Sequence, residues 1–238
     1  RRLESLGVSR EKIRVTGNLK FDFSVQITGP QVAKRDLGMS ADTLLLVAGS
    51  THNGEEVFVL NAFRDLRDRA PGTKLVLAPR HPERCPEVEK LVGGYGFTQC
   101  RISGLDRCPD TAGVDVFIVD TVGRLMGFYA LADIVFVGGS LVKTGGHNIL
   151  EPAVLGKPVV CGPWMFNFRD TIELFLRHQA VVQVNGPQEL SRALLALLES
   201  PERRRALGQQ GQSLVTAHRG ATERTAAFLK EILLTSKK

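Results

Sequence analysis

Short apolar runs, each followed by a glycine-rich or polar turn and then by an amphipathic stretch, recur along this chain. Leu44–Ala48, Lys74–Ala78, Val116–Val119, Ile134–Val137 and Val159–Cys161 are the clearest runs, with Phe97–Ile102 and Val181–Val184 beside them. Segments apolar on successive positions suit strands buried on both faces of a sheet. Between them lie helical patterns. In Glu55–Arg69, Val59, Ala62, Phe63 and Leu66 recur at helical spacing. Glu83–Leu91 ends in Gly93-Gly94, and Gly123–Leu131 turns Leu125, Phe128 and Tyr129 inward. His147–Leu155 and Asn167–Arg177 follow, then Ser191–Leu198, Glu202–Ala217 and Thr222–Leu234. Nearer the start, Leu3–Leu6 reads as a helix end, Ile13–Thr16 as a short strand and Gln31–Leu37 as a short helix closed by Gly38. Ser103–Gly113 reads as a polar connector. Strands alternating with helices predict an α/β fold: a parallel sheet of about six strands with a helical tail, in a single domain over residues 1–238.

One stretch, Leu131–Trp164, compresses strand, turn, helix and strand into a single unit. Its strand stops at Gly138-Gly139, and a second pair, Gly145-Gly146, precedes the helical run from His147. Glycine pairs between a strand and a helix let a ligand approach the backbone, and a helix start offers N–H groups to an anion. This predicts a phosphate-bearing ligand at the carboxyl end of the sheet.

Composition narrows the class. The chain has 238 residues, 43% hydrophobic and 24% charged, as in an ordinary globular protein. Lys and Arg number 31 against 25 Asp and Glu, a net +6 gathered partly in Arg64–Arg69 and Arg203–Arg205. Those clusters fit solvated helix faces, with an anionic ligand or membrane surface as the alternative. Aromatics make up 6%, with no stacking platform for nucleic acid. Cys85, Cys100, Cys108 and Cys161 show no metal-binding spacing and are expected as reduced thiols. No apolar run reaches the length of a membrane span. The opening, RRLESLGVSREKIRVTGN, reads as the interior of a longer protein.

Four polar loops follow predicted strands: Gly49–Gly54, Pro79–Pro82, Asp120–Arg124 and Gly138–Glu151. In open α/β sheets, ligands bind outside the carboxyl ends of the strands. Neither G-x-G-x-x-G after a strand nor G-x-x-x-x-G-K-[ST] is present, which argues against a dinucleotide dehydrogenase and a P-loop ATPase. Arg80 can grip a phosphate or carboxylate with two hydrogen bonds, or pair with a neighbouring helix. Ser50 and Thr51 can cap the Glu55 helix or donate to a phosphate. Glu151 can accept from both hydroxyls of a ribose or serve as a capping charge. Asn148 can complete that grip or merely start the helix. His52 and His81 are further anion donors, whereas His178 and His218 read as surface residues. His147 and Glu151 lack a third ligand for a metal, and no Ser-His-Asp arrangement is recoverable.

Taken in order, Gly17–Asp22 (GNLKFD), Ala48–Glu55 (AGSTHNGE), Pro79–Arg84 (PRHPER), Asp120–Leu125 (DTVGRL), Phe136–Leu141 (FVGGSL), Gly145–Pro152 (GGHNILEP) and Gly162–Phe168 (GPWMFNF) resemble the 3-deoxy-D-manno-octulosonic acid (Kdo) transferases of lipid A and lipopolysaccharide assembly. The likeness runs from about Ile13 to Phe168. It implies the C-terminal, donor-binding half of a GT-B glycosyltransferase, with a Rossmann-like sheet. It implies CMP-Kdo as donor, touching Pro79, Arg80, the Val122-Gly123-Arg124 turn, and Asn148, Ile149, Leu150 and Glu151. Ser50, Thr51, Gly145, Gly146 and His147 are candidate phosphate or Kdo contacts. The implied reaction is an inverting, metal-independent displacement by a hydroxyl of a lipid A precursor, with no further cofactor. The base, a glutamate in the family, belongs to an N-terminal domain with the acceptor and the membrane contact, so no catalytic residue is expected in this chain. The implied location is the cytoplasmic face of the bacterial inner membrane, and residues 222–238 are expected to pack on that N-terminal domain. One departure is Gly123-Arg124-Leu125, where the family usually has Gly-Glu-Leu. The alternatives are a UDP-sugar enzyme of the same architecture, including a sugar-nucleotide 2-epimerase, and a non-catalytic domain docking on anionic lipid.

Overall fold

The computed structural model describes residues 2–23, 32–108 and 110–235. Gln31, and residues 236–238 of the expected tail, lie outside them. In chain order the elements are α1 (Arg2–Ser5), β1 (Leu45–Thr51), α2 (Glu55–Arg69), β2 (Lys74–Pro79), α3 (Cys85–Gly94), β3 (Gln99–Arg101), β4 (Val116–Ile118), α4 (Leu125–Leu131) and β5 (Ile134–Val137). There follow α5 (Leu150–Val154), β6 (Val159–Cys161), α6 (Arg169–Arg177), β7 (Val182–Gln183), α7 (Pro187–Glu199), α8 (Pro201–Ala217) and α9 (Ala221–Thr235). They fall into two compact units, one of residues 25–214 and one of residues 1–24 with 215–238.

The larger unit holds a seven-stranded sheet in the order β3-β4-β2-β1-β5-β6-β7, against the about six expected, with a strand at each of the seven apolar runs named above. Every neighbouring pair is parallel. From β1 the chain moves outward to β2 and later returns to place β5 on the other side of β1. The boundary between β1 and β5 is therefore the topological switch point. Alternate residues of the central strands, Leu46, Ala48, Leu75, Leu77, Val116, Ile118, Ile134 and Phe136, form one buried face. Val59, Leu60, Phe63 and Leu66 of α2, Val88 and Val92 of α3, and Leu190, Leu194 and Leu197 of α7 pack in the same core. Lys74 Nζ donates to the carbonyls of Thr111, Ala112 and Val114 at 2.9, 2.8 and 2.7 Å, which pins the connector before β4.

Three elements differ from the pattern. Ile13–Thr16 forms no strand: it belongs to the smaller unit, whose described residues include no strand to pair with, and the Thr16 carbonyl instead accepts from Arg224 Nε at 2.8 Å. The helix expected from His147 begins at Leu150. Asn148 Oδ1 accepts from the Leu150 N–H at 3.1 Å, an Asx turn that competes with helix and sets its start later. The short helix expected to end at Leu37 is a 3-10 turn, Lys34–Leu37.

In the smaller unit, the Asp22 carboxylate accepts from the N–H groups of Gly220 and Thr222 at the start of α9, at 2.6 and 2.5 Å. Asn18 caps the turn Leu19–Phe21, and Phe21 packs against His218 with ring centroids 5.3 Å apart. The GNLKFD segment is thereby a structural anchor for α9.

Candidate functional site

The four polar loops follow β1, β2, β4 and β5, which are consecutive neighbours in the sheet. Their convergence is a consequence of strand order. At the end of β1, Ser50 has φ +57, and the register with β2 skips it between Gly49 and Thr51. A non-glycine residue held in the left-handed region is strained by about 1–3 kcal/mol, and such positions cluster at ligand sites. Ser50 lines a cavity of about 100 Å³ with Pro79, Arg80, Pro82, Thr121, Val122 and Gly123. Val122 is 89% exposed and gives that cavity an apolar lip. The Thr121 hydroxyl is buried there without a protein partner among the described residues. Arg80 is exposed, and among the described residues its guanidinium is engaged in no ion pair, so the alternative of pairing with a neighbouring helix is not realised.

Across the switch point, Asn148 Nδ2 donates to Glu151 Oε1 at 3.2 Å. The single oxygen and the NH₂ group of the Asn148 amide thus join helix start and carboxylate: Oδ1 accepts from the Leu150 N–H and Nδ2 donates to Glu151. Burial raises the Glu151 carboxyl above its ordinary range, while the Asn148 bond and the Arg80 charge oppose that rise. Arg80 therefore acts on both sides, lining the cavity and reaching Glu151 with its charge. His147 is held down to about 4, first by burial and then by His52, Arg80 and His81. Its Nε2 lies 2.8 Å from His52 Nε2, and His81 meets His52 edge-on at 5.8 Å. The imidazole of His147 is thus neutral at pH 7 and tied to another histidine, whereas Glu151 is tied to Asn148.

Several candidates face elsewhere. Thr51 is fully buried and donates to Glu56 Oε1 at 3.0 Å, so it is no phosphate donor. Glu56 in turn takes a two-pronged ion pair from Arg84, at 2.7 and 3.2 Å. Gly145 and Gly146, with φ +103 and +75, are buried beneath the segment after β6. A Cβ on Gly145 would lie 2.2 Å from Asn167 Nδ2, and one on Gly146 2.2 Å from Met165 Sδ. This pair serves close packing instead of opening to a ligand. Ile149 and Leu150 are fully buried, which leaves only their backbone to touch a ligand, and the Leu150 N–H is already bonded. Arg124 stands as the N-cap of α4 and does not line the cavity. Asp120 accepts from the Ser103 backbone and hydroxyl, which holds the β4 turn from outside.

The glycine turn after β5 holds the largest departure from expectation. The Glu55 carboxylate, fully buried, accepts from the N–H groups of Gly139, Ser140 and Leu141 at 2.6, 2.9 and 2.8 Å. It also accepts from His52 N at 2.9 Å. The predicted phosphate cradle is therefore filled by the chain's own carboxylate. That both adjacent acids opening α2, Glu55 and Glu56, turn inward was not legible in the sequence. Tyr129 is buried, as its helical spacing predicts, but the pattern does not carry its close approach to Gly49: a Cβ on Gly49 would lie 2.1 Å from the Tyr129 hydroxyl.

A parallel sheet with polar loops gathered at its switch point is an open α/β fold of the kind that binds ligands beyond the carboxyl ends of its strands. Residues 112–214 match the family model described as glycosyl transferases group 1. The chain is 37% identical to the 3-deoxy-D-manno-octulosonic acid transferase of Haemophilus influenzae, over 98% of its own length and 55% of the relative's. It is 32% identical to the Bordetella pertussis enzyme of that name, over 92% of itself and 51% of the relative. The chain thus spans about half the length of these curated relatives. Among solved structures it is similar to the C-terminal CMP-Kdo binding domain of WaaA from Acinetobacter baumannii, with a TM-score of 0.69 and 34% identity over 74% of this chain and 90% of that domain. The chain belongs to the 3-deoxy-D-manno-octulosonic acid transferase family.

Proposed function

We propose that this chain is the CMP-Kdo-binding part of an enzyme that transfers Kdo to a lipid A precursor. The observation that carries the reading is that Arg80 lines the cavity while its charge acts on the Glu151 carboxyl that Asn148 holds. In this account Val122 and Pro79 contact the base, Glu151 accepts from the ribose hydroxyls, and Arg80 with Ser50 meets the phosphate. The likeness to a domain known to bind CMP-Kdo supports the choice of nucleotide.

In the reaction, a hydroxyl oxygen of the acceptor bonds to the anomeric carbon of Kdo with inversion. The bond from that carbon to the phosphate oxygen breaks, CMP leaves, and the hydroxyl proton passes to a base on the N-terminal domain. Arg80 and neighbouring N–H groups would stabilise the leaving phosphate as its charge grows. The proposed chemistry uses no metal or added cofactor. No described helix is long and apolar enough to cross a membrane. In this reading the whole enzyme works at the cytoplasmic face of the inner membrane, held there through its N-terminal domain. Leu229, Ile232, Leu233 and Leu234 are exposed on α9, which supports the proposal that this helix packs on that domain.

Competition decides the nucleotide. CMP should displace a fluorescent cytidine nucleotide from the chain at lower concentration than UDP does. Preference for UDP would favour a UDP-sugar enzyme or 2-epimerase instead. The chain alone should transfer no Kdo, and turnover without the N-terminal domain would overturn the assignment of the base.

A further inference from the structure

The turn after β5 has the form of an anion nest: consecutive N–H groups of Gly139, Ser140 and Leu141 converge on one point. Such concavities commonly bind phosphate. Here the occupant is a side chain from another strand–helix unit, and it comes from across the switch point. Glu55 begins α2, which follows β1, whereas the nest follows β5. One Glu55 oxygen takes Ser140 and Leu141, and the other takes Gly139 and the His52 backbone. An ionised carboxylate has acceptor sites for about four such bonds and no donor to disturb them. The nest is therefore complete without a ligand.

We infer that Glu55 is a positioning residue, a fixed internal anion that locks the loops after β1 and β5 together and so sets where Arg80, Asn148 and Glu151 meet the donor. The coupling runs through both ends. His52, held at its backbone by Glu55, reaches His147 through Nε2, and His147 lies directly before Asn148. On the other side, Ser140 continues the chain of support: its hydroxyl donates to the Val137 carbonyl at 2.6 Å and accepts from Gly162 N at 2.8 Å. Gly139 O accepts from Gly146 N at 2.7 Å, which carries the nest's shape into the second glycine pair. A carboxylate that touches no ligand thus defines the frame of one. This inference rests on the donor-binding reading above.

The test is chemical rescue. Glu55→Ala leaves the nest empty, and small carboxylates can refill it. CMP affinity, measured by calorimetry in sodium chloride, should fall about tenfold or more, equivalent to about 1.4 kcal/mol. Replacing chloride with sodium formate at equal ionic strength should restore most of the loss and raise the thermal midpoint of the variant. Glu55→Gln fills the nest with an amide whose NH₂ opposes the backbone donors, so it should bind CMP weakly and gain nothing from formate. If Glu55→Ala does not fold in chloride, recovery of folded protein in formate reads the same occupancy. CMP affinity unchanged in Glu55→Ala, or no gain from formate over chloride, overturns the inference. Loss of CMP binding by the unsubstituted chain would instead defeat the donor-binding reading, and the formate-dependent midpoint still tests the nest.

Discussion

His52 and His147 meet through their Nε2 atoms at 2.8 Å, with stacked rings 5.1 Å apart, across the boundary between β1 and β5. Only one of the two can donate in that bond, so a proton taken up by the acceptor nitrogen removes the bond, and charging both rings would place like charges together. Burial, the larger cause for both rings, already disfavours that proton.

Stability should therefore fall on acidification. His147 titrates near 4 when folded against an ordinary 6.5, so between those values the unfolded chain takes up a proton that the folded chain refuses. Stability is highest above 6.5, declines as pH drops toward 4, and gains no further loss from this group below. Urea midpoints at pH 7.5 and pH 5 should differ less in His147→Gln than in the unsubstituted chain. Equal differences would show that the pair does not control this range.

Gly49 and Tyr129 should be coupled. Gly49→Ala places a methyl against the buried phenol, an overpacking cost of about 1–3 kcal/mol. Tyr129→Phe removes the hydroxyl atom that is struck. In denaturant unfolding the double variant should recover part of the loss caused by Gly49→Ala alone, and strict additivity would speak against the close approach.

Arg84 should matter to stability more than its place in a polar motif suggests. Glu56 is 1% exposed and takes both prongs of the guanidinium. Removing one partner of a buried pair leaves the other uncompensated, typically at about 3–5 kcal/mol. Arg84→Ala should show a loss of that order in denaturant unfolding. Arg84→Lys should rescue only part, since an ammonium cannot fork.

Glu151 should show opposite effects on stability and binding. Its carboxyl is raised by burial, so stability from this group is present at low pH and lost as pH rises through the raised value. Glu151→Gln keeps the oxygen that accepts from Asn148 and removes the buried charge. The thermal midpoint at pH 7 should rise while CMP affinity falls about tenfold or more. A lower midpoint would mean that the ionised form is welcome in the empty site.

Much of this fold was legible because apolar runs bounded by glycine leave little freedom. Ile134–Val137, Val159–Cys161 and the helix Glu55–Arg69 lie where the pattern puts them. The converging loops were also legible, since β1, β2, β4 and β5, which run into those loops, are neighbouring strands. What pattern could not supply was the direction of polar side chains. Glu55, Glu56 and Thr51 look like a solvent-facing helix start and instead build the interior of the loop system. Gly145 and Gly146 look open and are covered, because the side chains that cover them come from the segment after β6. Such partners are far apart in sequence, and periodicity carries no record of them.

The central claim is that Arg80 and the Asn148–Glu151 pair form one nucleotide site, and calorimetric titration of the chain with CMP tests it most directly. Saturable binding is expected, weakened about tenfold or more by Arg80→Ala and by Glu151→Ala in chains that keep their circular dichroism. Absence of CMP binding by the folded, unsubstituted chain, or affinity untouched by both substitutions, would contradict it.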